Sequence, residues 1–204
     1  MRRTPAVALL SLILITSPAR AEFPAALSAW GGAGLGSGHR EEVGDAGSFG
    51  LLGVEAAWRF SPGRALVATA ERAGLFGRSY FPEGSYLAKL EHFAITVGPE
   101  LSFPPGSRLA FFCRASAGIG RVTTTRSGYV VYTGIPGPAA LTENGFALSG
   151  AAGLRLMLPP GPLGFTIALH AARITADNSN CGGIGLTAGL TLYPLNRRPA
   201  PPGR

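Results

Sequence analysis

Charge is scarce in this chain. Asp, Glu, Lys and Arg make up 14% of its 204 residues, and Lys89 is the one lysine among 18 basic side chains. No lysine–arginine cluster interleaved with aromatic residues occurs, so the pI near 10.2 is no case for nucleic acid. Cysteine is scarcer still: Cys113 and Cys181 stand alone, and no His–Cys–carboxylate spacing accompanies them, so no metal and no cofactor are expected. The glycine run Gly31-Gly32-Ala33-Gly34-Leu35-Gly36 fits strand packing better than a nucleotide fingerprint, which needs a strand before it and a helix after. Beyond the N-terminus no stretch approaches the roughly 20 apolar residues of a membrane helix. No long 3.6-residue periodicity survives 30 glycines, so helices are not expected as the main elements.

The N-terminus indicates the compartment. Arg2 and Arg3 precede an apolar run from Ala6 to Ile15 and the small-residue site Ala19-Arg20-Ala21, so residues 1–21 read as a secretory signal cut before Glu22. A run this short does not cross a hydrocarbon core of roughly 30 Å as a helix. No cysteine near the cut offers a lipid anchor. Cleavage takes Arg2, Arg3 and Arg20 and no acid, which lowers the net charge from +7 to +4. Residues 22–193 then form one expected domain, and the proline- and arginine-rich residues 194–204 a disordered periplasmic tail.

What is abundant is glycine and proline, 30 and 17 residues. Ser61-Pro62-Gly63-Arg64, Pro104-Pro105-Gly106-Ser107 and Pro159-Pro160-Gly161-Pro162 read as tight turns, separated each time by two strands and one longer loop. That is the rhythm of an up-and-down barrel with short periplasmic turns and longer outer loops. Between the turns the residues alternate with period two. Phe93, Ile95, Val97, Pro99, Leu101 and Phe103 oppose His92, Ala94, Thr96, Gly98, Glu100 and Ser102. Leu109, Phe111, Cys113, Ala115, Ala117 and Ile119 oppose Ala110, Phe112, Arg114, Ser116, Gly118 and Gly120. A soluble sandwich alternates too, so size decides. Glycine, alanine, serine and threonine are poor choices for a water-facing strand and good ones for the inside of a tube of about eight strands. The apolar parity is therefore expected to face lipid.

Strands are predicted at 28–37, 48–60, 65–76, 87–103, 108–124, 145–158, 163–176 and 182–193. Each suffices for a tilted crossing, which needs roughly 9 to 11 residues. The expected fold class is all-β, an eight-stranded antiparallel up-and-down transmembrane β-barrel. Both chain ends lie on the periplasmic side, and the connections near 38–47, 77–86, 125–144 and 177–181 lie outside. Tyr129, Val130, Val131 and Tyr132 are expected to extend their strands beyond the membrane. Pro99 predicts a bulge or a strand end, since proline removes a ladder donor. Cys113 falls mid-strand facing outward and Cys181 in a loop, so two free thiols are expected.

On the apolar parity, Trp58, Phe60, Phe103, Phe111 and Phe165 fall within a few residues of the tight turns, where an aromatic girdle is expected. Trp30 falls on the inward parity and breaks that pattern. The inward parity collects Glu55, Arg59, Glu71, His92, Glu100, Arg114, Arg155 and His170. Buried charges are paired, so these predict arginine–carboxylate pairs, Arg114 with Glu100 among them, that plug the tube and leave no open pore. Arg40, Arg78, Arg121 and Arg126 fall near the outer rim, where anionic lipid phosphates would meet them.

Signal, strand count, turn asymmetry and segments such as Val97-Gly98-Pro99-Glu100-Leu101 and Gly189-Leu190-Thr191-Leu192-Tyr193 make residues 23–193 resemble the small eight-stranded outer-membrane barrels of the kind formed by the OmpA transmembrane domain and OmpX. The resemblance is architectural and brings no catalytic motif. It implies an integral outer-membrane protein in contact with lipid, including lipopolysaccharide. It also implies a monomer with a structural or surface-interaction role whose specificity sits in the outer loops. Barrels of this kind end on an aromatic read by the insertion machinery, and Tyr193 is the candidate here.

Some barrels of similar build modify lipid A or phospholipid with a histidine, a serine and an acid. His170, Ser149 or Ser179, and Asp177 or Glu143 are the candidates for such a set. Residues 173–180 are loosely similar to the final hairpin of the lipid A deacylase family. Asp177, however, stands where that family carries a histidine, and an aspartate does not replace imidazole as general base for a serine. No catalytic residues are therefore expected. The remaining alternative is a soluble periplasmic barrel holding an apolar ligand.

Overall fold

The computed structural model describes residues 25–39, 47–81, 84–104, 108–130, 140–158, 162–177 and 180–193. The expected signal at 1–21 and tail at 194–204 lie outside them. The strands are β1 (Ala25–His39), β2 (Gly47–Ser61), β3 (Arg64–Phe81), β4 (Gly84–Phe103), β5 (Leu109–Val130), β6 (Ala140–Met157), β7 (Leu163–Thr175) and β8 (Asn180–Leu192). Each pairs antiparallel with its neighbours in sequence, and β1 also pairs with β8, which closes the barrel. Closure leaves no edge strand with unpaired backbone groups.

The strands outrun the predicted ones at the outer end. The β3–β4 ladder continues to Phe81↔Gly84, so the expected outer connection at 77–86 is almost entirely strand. Tyr129 and Val130 extend β5 against Ser85 and Gly84, while Val131 and Tyr132 lie outside the described residues. Asn180 and Cys181, expected in a loop, open β8 opposite Thr175 and Ile174. The cause is the same in each case. Above the lipid-facing belt alternation no longer has to separate apolar from small residues, so the sequence loses its period while backbone pairing goes on.

Pro99 makes no bulge. It sits opposite Leu66 on β3, and Val97↔Ala117 and Glu100↔Arg114 keep one register across it on β5. The missing N–H removes a rung without inserting a residue. The register shift that does occur lies between Arg59 and Ser61, beside the Pro62–Gly63 turn. Gly63 has φ 73°, which a proline–glycine turn requires at its third position.

Glycine makes room for bulk in the lumen. The register partners of Trp30 are Gly53 on β2 and Gly189 on β8, and a Cβ on Gly53 would lie 2.3 Å from the indole. The inward indole that broke the sequence pattern thus has a slot on either side. Gly118 serves a different need. A Cβ there would lie 1.9 Å from the backbone oxygen of Ile95, so β4 and β5 approach too closely for any side chain.

Candidate functional site

Alternation turns two opposite surfaces out of one wall. Leu52, Val54, Phe93, Ile95, Ile119, Leu154, Ile167, Leu186 and Leu190 all face outward and are exposed, part of a continuous apolar band. Trp58, Phe103, Phe111 and Phe165 lie exposed on this surface near the turn end. Phe60 is only half-exposed, at the register shift of β2. Soluble monomers rarely expose an apolar patch beyond a few hundred Å², and this band runs around the barrel. Above it the outward positions become polar: Arg72, Lys89, Glu91, Arg121, Asn144 and Arg173.

The inward positions stack in layers. Nearest the turns, Arg155 Nη1 and Nη2 donate to Glu100 Oε1 and Oε2 at 2.7 and 3.1 Å, a bidentate buried pair, and the guanidinium lies 4.6 Å over the Phe112 ring. Arg114 Nη1 lies 2.7 Å from Glu55 Oε2. The expected pairing of Arg114 with Glu100 is therefore wrong. The two are register neighbours, but each long side chain reaches across the tube to another strand. Arg59 stacks 5.2 Å over the ring of Tyr193, and that terminal aromatic is buried at the lumen mouth.

One layer up, Glu71 lies between two imidazoles, 2.9 Å from His170 Nε2 and 4.0 Å from His92 Nε2. The Trp30 ring tilts over His170 at 4.5 Å. Beside them Thr96, Ser116 and Ser149 share hydroxyl hydrogen bonds of 2.8 to 3.2 Å. Cys181 Sγ touches His92 Nδ1 at 3.6 Å, on the ring edge opposite Glu71, so these donors do not converge. Among the described residues no group of His, Cys, Asp and Glu is arranged to hold a metal. Cys113 faces outward and Cys181 inward, and both are free thiols.

Among the described side chains, the layer nearest the outer end is apolar. Phe49, Leu51, Leu90, Val122, Ile174 and Cys181 pack as one buried cluster with Ala73, Ala94, Ala147 and Ala172. The residue-size argument missed this cap, because in β2 Leu51 and Leu52 are adjacent and both parities look alike. Carrying the inward parity of Glu55 up the strand would have found Phe49 and Leu51. Two internal voids lower in the lumen measure about 20 and 40 Å³, room for single waters and not for an apolar ligand.

The hydrolase candidates do not assemble. His170 turns to Glu71, Ser149 bonds to Ser116 and Thr96, and Asp177 is exposed at the end of β7. Glu143 lies near the outer end of β6, and Ser179 is outside the described residues.

This barrel has the fold of the small eight-stranded outer-membrane barrels. Ail, the attachment invasion locus protein of Yersinia pestis, solved with the heparin analogue sucrose octasulfate, superposes with a TM-score of 0.53 at 13% identity, covering 84% of this chain and 100% of Ail. Neisserial surface protein A gives 0.53 at 11% identity over 83% of this chain and 96% of its own. OprG from Pseudomonas aeruginosa gives 0.50 at 13% identity, over 83% and 95%. By sequence the chain matches no family model and no curated protein.

Proposed function

We propose that the protein is an integral outer-membrane barrel, exported by a cleaved signal, which acts as a monomer in a structural or surface-interaction role rather than as an enzyme. One observation carries this reading: the partition is inside-out, with Leu, Ile, Val and Phe exposed around the wall and Glu55, Glu71, Glu100, Arg114 and Arg155 inside. Lipid is the environment in which that partition is favourable. The charged pairs and the apolar cap together close the tube, so specificity falls to the outer loops and the polar rim. Arg121 and Arg173 are rim cations that suit an anionic surface ligand, and the sulfated sugar bound to Ail is an anion of that kind. Arg78 and Arg126 lie in strands whose side chains, like all of Arg40, are outside the described residues. Tyr193 and the β1–β8 closure are what the barrel-insertion machinery would complete.

The test is cell fractionation followed by gel migration with and without boiling. Recovery in the outer membrane with heat-modifiable migration is expected. Recovery in the soluble periplasm overturns the reading.

A further inference from the structure

We propose that the turn end of the lumen binds one small monatomic anion, a halide such as chloride, in the void between Arg59, Arg64, Ser102, Arg155 and Tyr193. The site lies inside the tube and is independent of the surface role proposed above.

Backbone pairing assembles the void. Tyr193 N donates to Pro162 O at 2.6 Å just beyond β8, and Ser102 N donates to Gly63 O at 2.8 Å, which draws the end of β4 against the Pro62–Gly63 turn. Arg59 and Arg64 flank that turn on β2 and β3. The Tyr193 ring packs on the bare backbone of Gly164, where a Cβ would lie 2.9 Å from Cε2, and Arg59 covers the ring at 5.2 Å. Arg155 comes in from β6 with both terminal nitrogens committed to Glu100. The space these side chains enclose measures about 40 Å³. Arg64, exposed at the mouth, marks the way in.

The lining is rich in donors and poor in acceptors. The Tyr193 hydroxyl and Arg155 Nε are buried and take no hydrogen-bond partner among the described residues. Ser102 Oγ already donates to Glu100 Oε1 at 3.3 Å. Among the described residues Arg59 and Arg64 have no carboxylate partner, since Glu55 and Glu100 are taken by Arg114 and Arg155. Below the Glu71 layer, four guanidinium groups therefore stand against two carboxylates, an excess of two positive charges. A water would accept from only part of this donor set and would leave the charge as it is. A halide accepts from every donor around it and offsets the excess, as a charge held out of water requires. Larger polyatomic anions do not fit. One ion fills the void, so bulk salt stays away from the Glu100–Arg155 pair behind it.

The experiment uses the folded full chain in an uncharged detergent, checked for heat-modifiable migration. Chloride NMR linewidth reads binding, and urea unfolding is compared in sodium chloride and sodium gluconate at one ionic strength. An excess linewidth is expected that saturates, is relieved by bromide and survives sulfate. The urea midpoint is expected to be higher in chloride, because a ligand of the folded state stabilises it. Tyr193→Phe keeps the ring under Arg59 and removes one donor to the anion, so chloride binding is expected to weaken about tenfold. Arg64→Gln is expected to weaken it likewise, and Arg72→Gln, at the opposite rim, to leave it unchanged. No excess linewidth in the wild type, with one midpoint in both salts, would mean that water fills the void and overturns the proposal. Relief by sulfate as complete as by bromide, or binding lost in Arg64→Gln and untouched in Tyr193→Phe, would mean a loose contact with surface cations, which overturns it too. Should Tyr193→Phe fail to fold, the comparison of bromide with sulfate in the wild type decides.

Discussion

The two halves of the lumen fill the same tube by opposite means. Toward the outer end Phe49, Leu51, Leu90, Val122 and Ile174 pack as hydrocarbon, and toward the turns Glu55–Arg114 and Glu100–Arg155 pack as ion pairs. Phe49 and Leu51 lean across β1 onto Gly183 and Gly185, where a Cβ would lie 2.6 and 2.8 Å from their rings and methyls. The apolar half thus needs volume complementarity. The charged half needs a particular partner for each group, since a charge removed from water and left alone costs several kcal/mol. A volume error is graded and a pairing error is not.

The largest effect should come from breaking a pair. Glu100→Ala leaves Arg155 buried without its bidentate acceptor and is expected to cost about 3–5 kcal/mol in urea unfolding from lipid vesicles. Glu100→Arg should abolish heat-modifiable folding. Double-mutant cycles sharpen the point. Coupling of at least about 1 kcal/mol is expected for Glu100 with Arg155 and for Glu55 with Arg114. A smaller coupling, through charge alone, is expected for Glu100 with Arg114, which are register neighbours without a direct contact, and the reverse order would refute the observed pairing.

The apolar half should respond to volume and be indifferent to salt. Leu90→Ala is expected to cost about 2–5 kcal/mol according to how far the cap collapses. Leu90→Met should restore most of that. A loss in Leu90→Ala that varied with ionic strength would show that the cap is electrostatically tied to the Glu71–His92 layer beneath it.

These halves also differed in how legible they were. Strand number, hairpin order and facing could be read because charge and glycine on one parity and bulk on the other mark β4 to β8 through the belt, as at Arg114 against Phe111, and the tight turns place the rest. The partner of each charge could not be read. Glu100 and Arg114 are opposite in register, yet the length of both side chains lets each reach a strand beyond its neighbour. The apolar cap was hidden for another reason. Where Leu51 adjoins Leu52, size no longer distinguishes inside from outside, and the matching glycines of β8 lie more than 130 residues away. Nothing local joins Phe49 to Gly183.

Between the halves, Thr96 bonds to the hydroxyls of Ser116 and Ser149 at 3.2 Å each. Thr96→Val keeps the shape and removes both bonds, so a loss of about 1 kcal/mol is expected. A loss as large as that of Glu100→Ala would make this layer part of the charged half.

The smallest effect lies outside the lumen and sets the scale for the buried pairs. Glu91 stands above the apolar band, and the hydrogen bond from Lys89 holds its carboxyl below the ordinary value of 4.5, against an opposing push from burial and with further help from Arg72. Because the folded state lowers this group's pKa, its contribution is present above the unfolded value and disappears as pH falls through the folded one. Solvent screens the cluster, so Glu91→Gln is expected to cost no more than about 1 kcal/mol at pH 7 and nothing near pH 2, and to shrink in high salt. Glu100→Ala should keep its cost in high salt, because its partner is out of reach of counterions. If the two variants shared one salt dependence, water would have to reach Arg155, and the lumen would not be sealed.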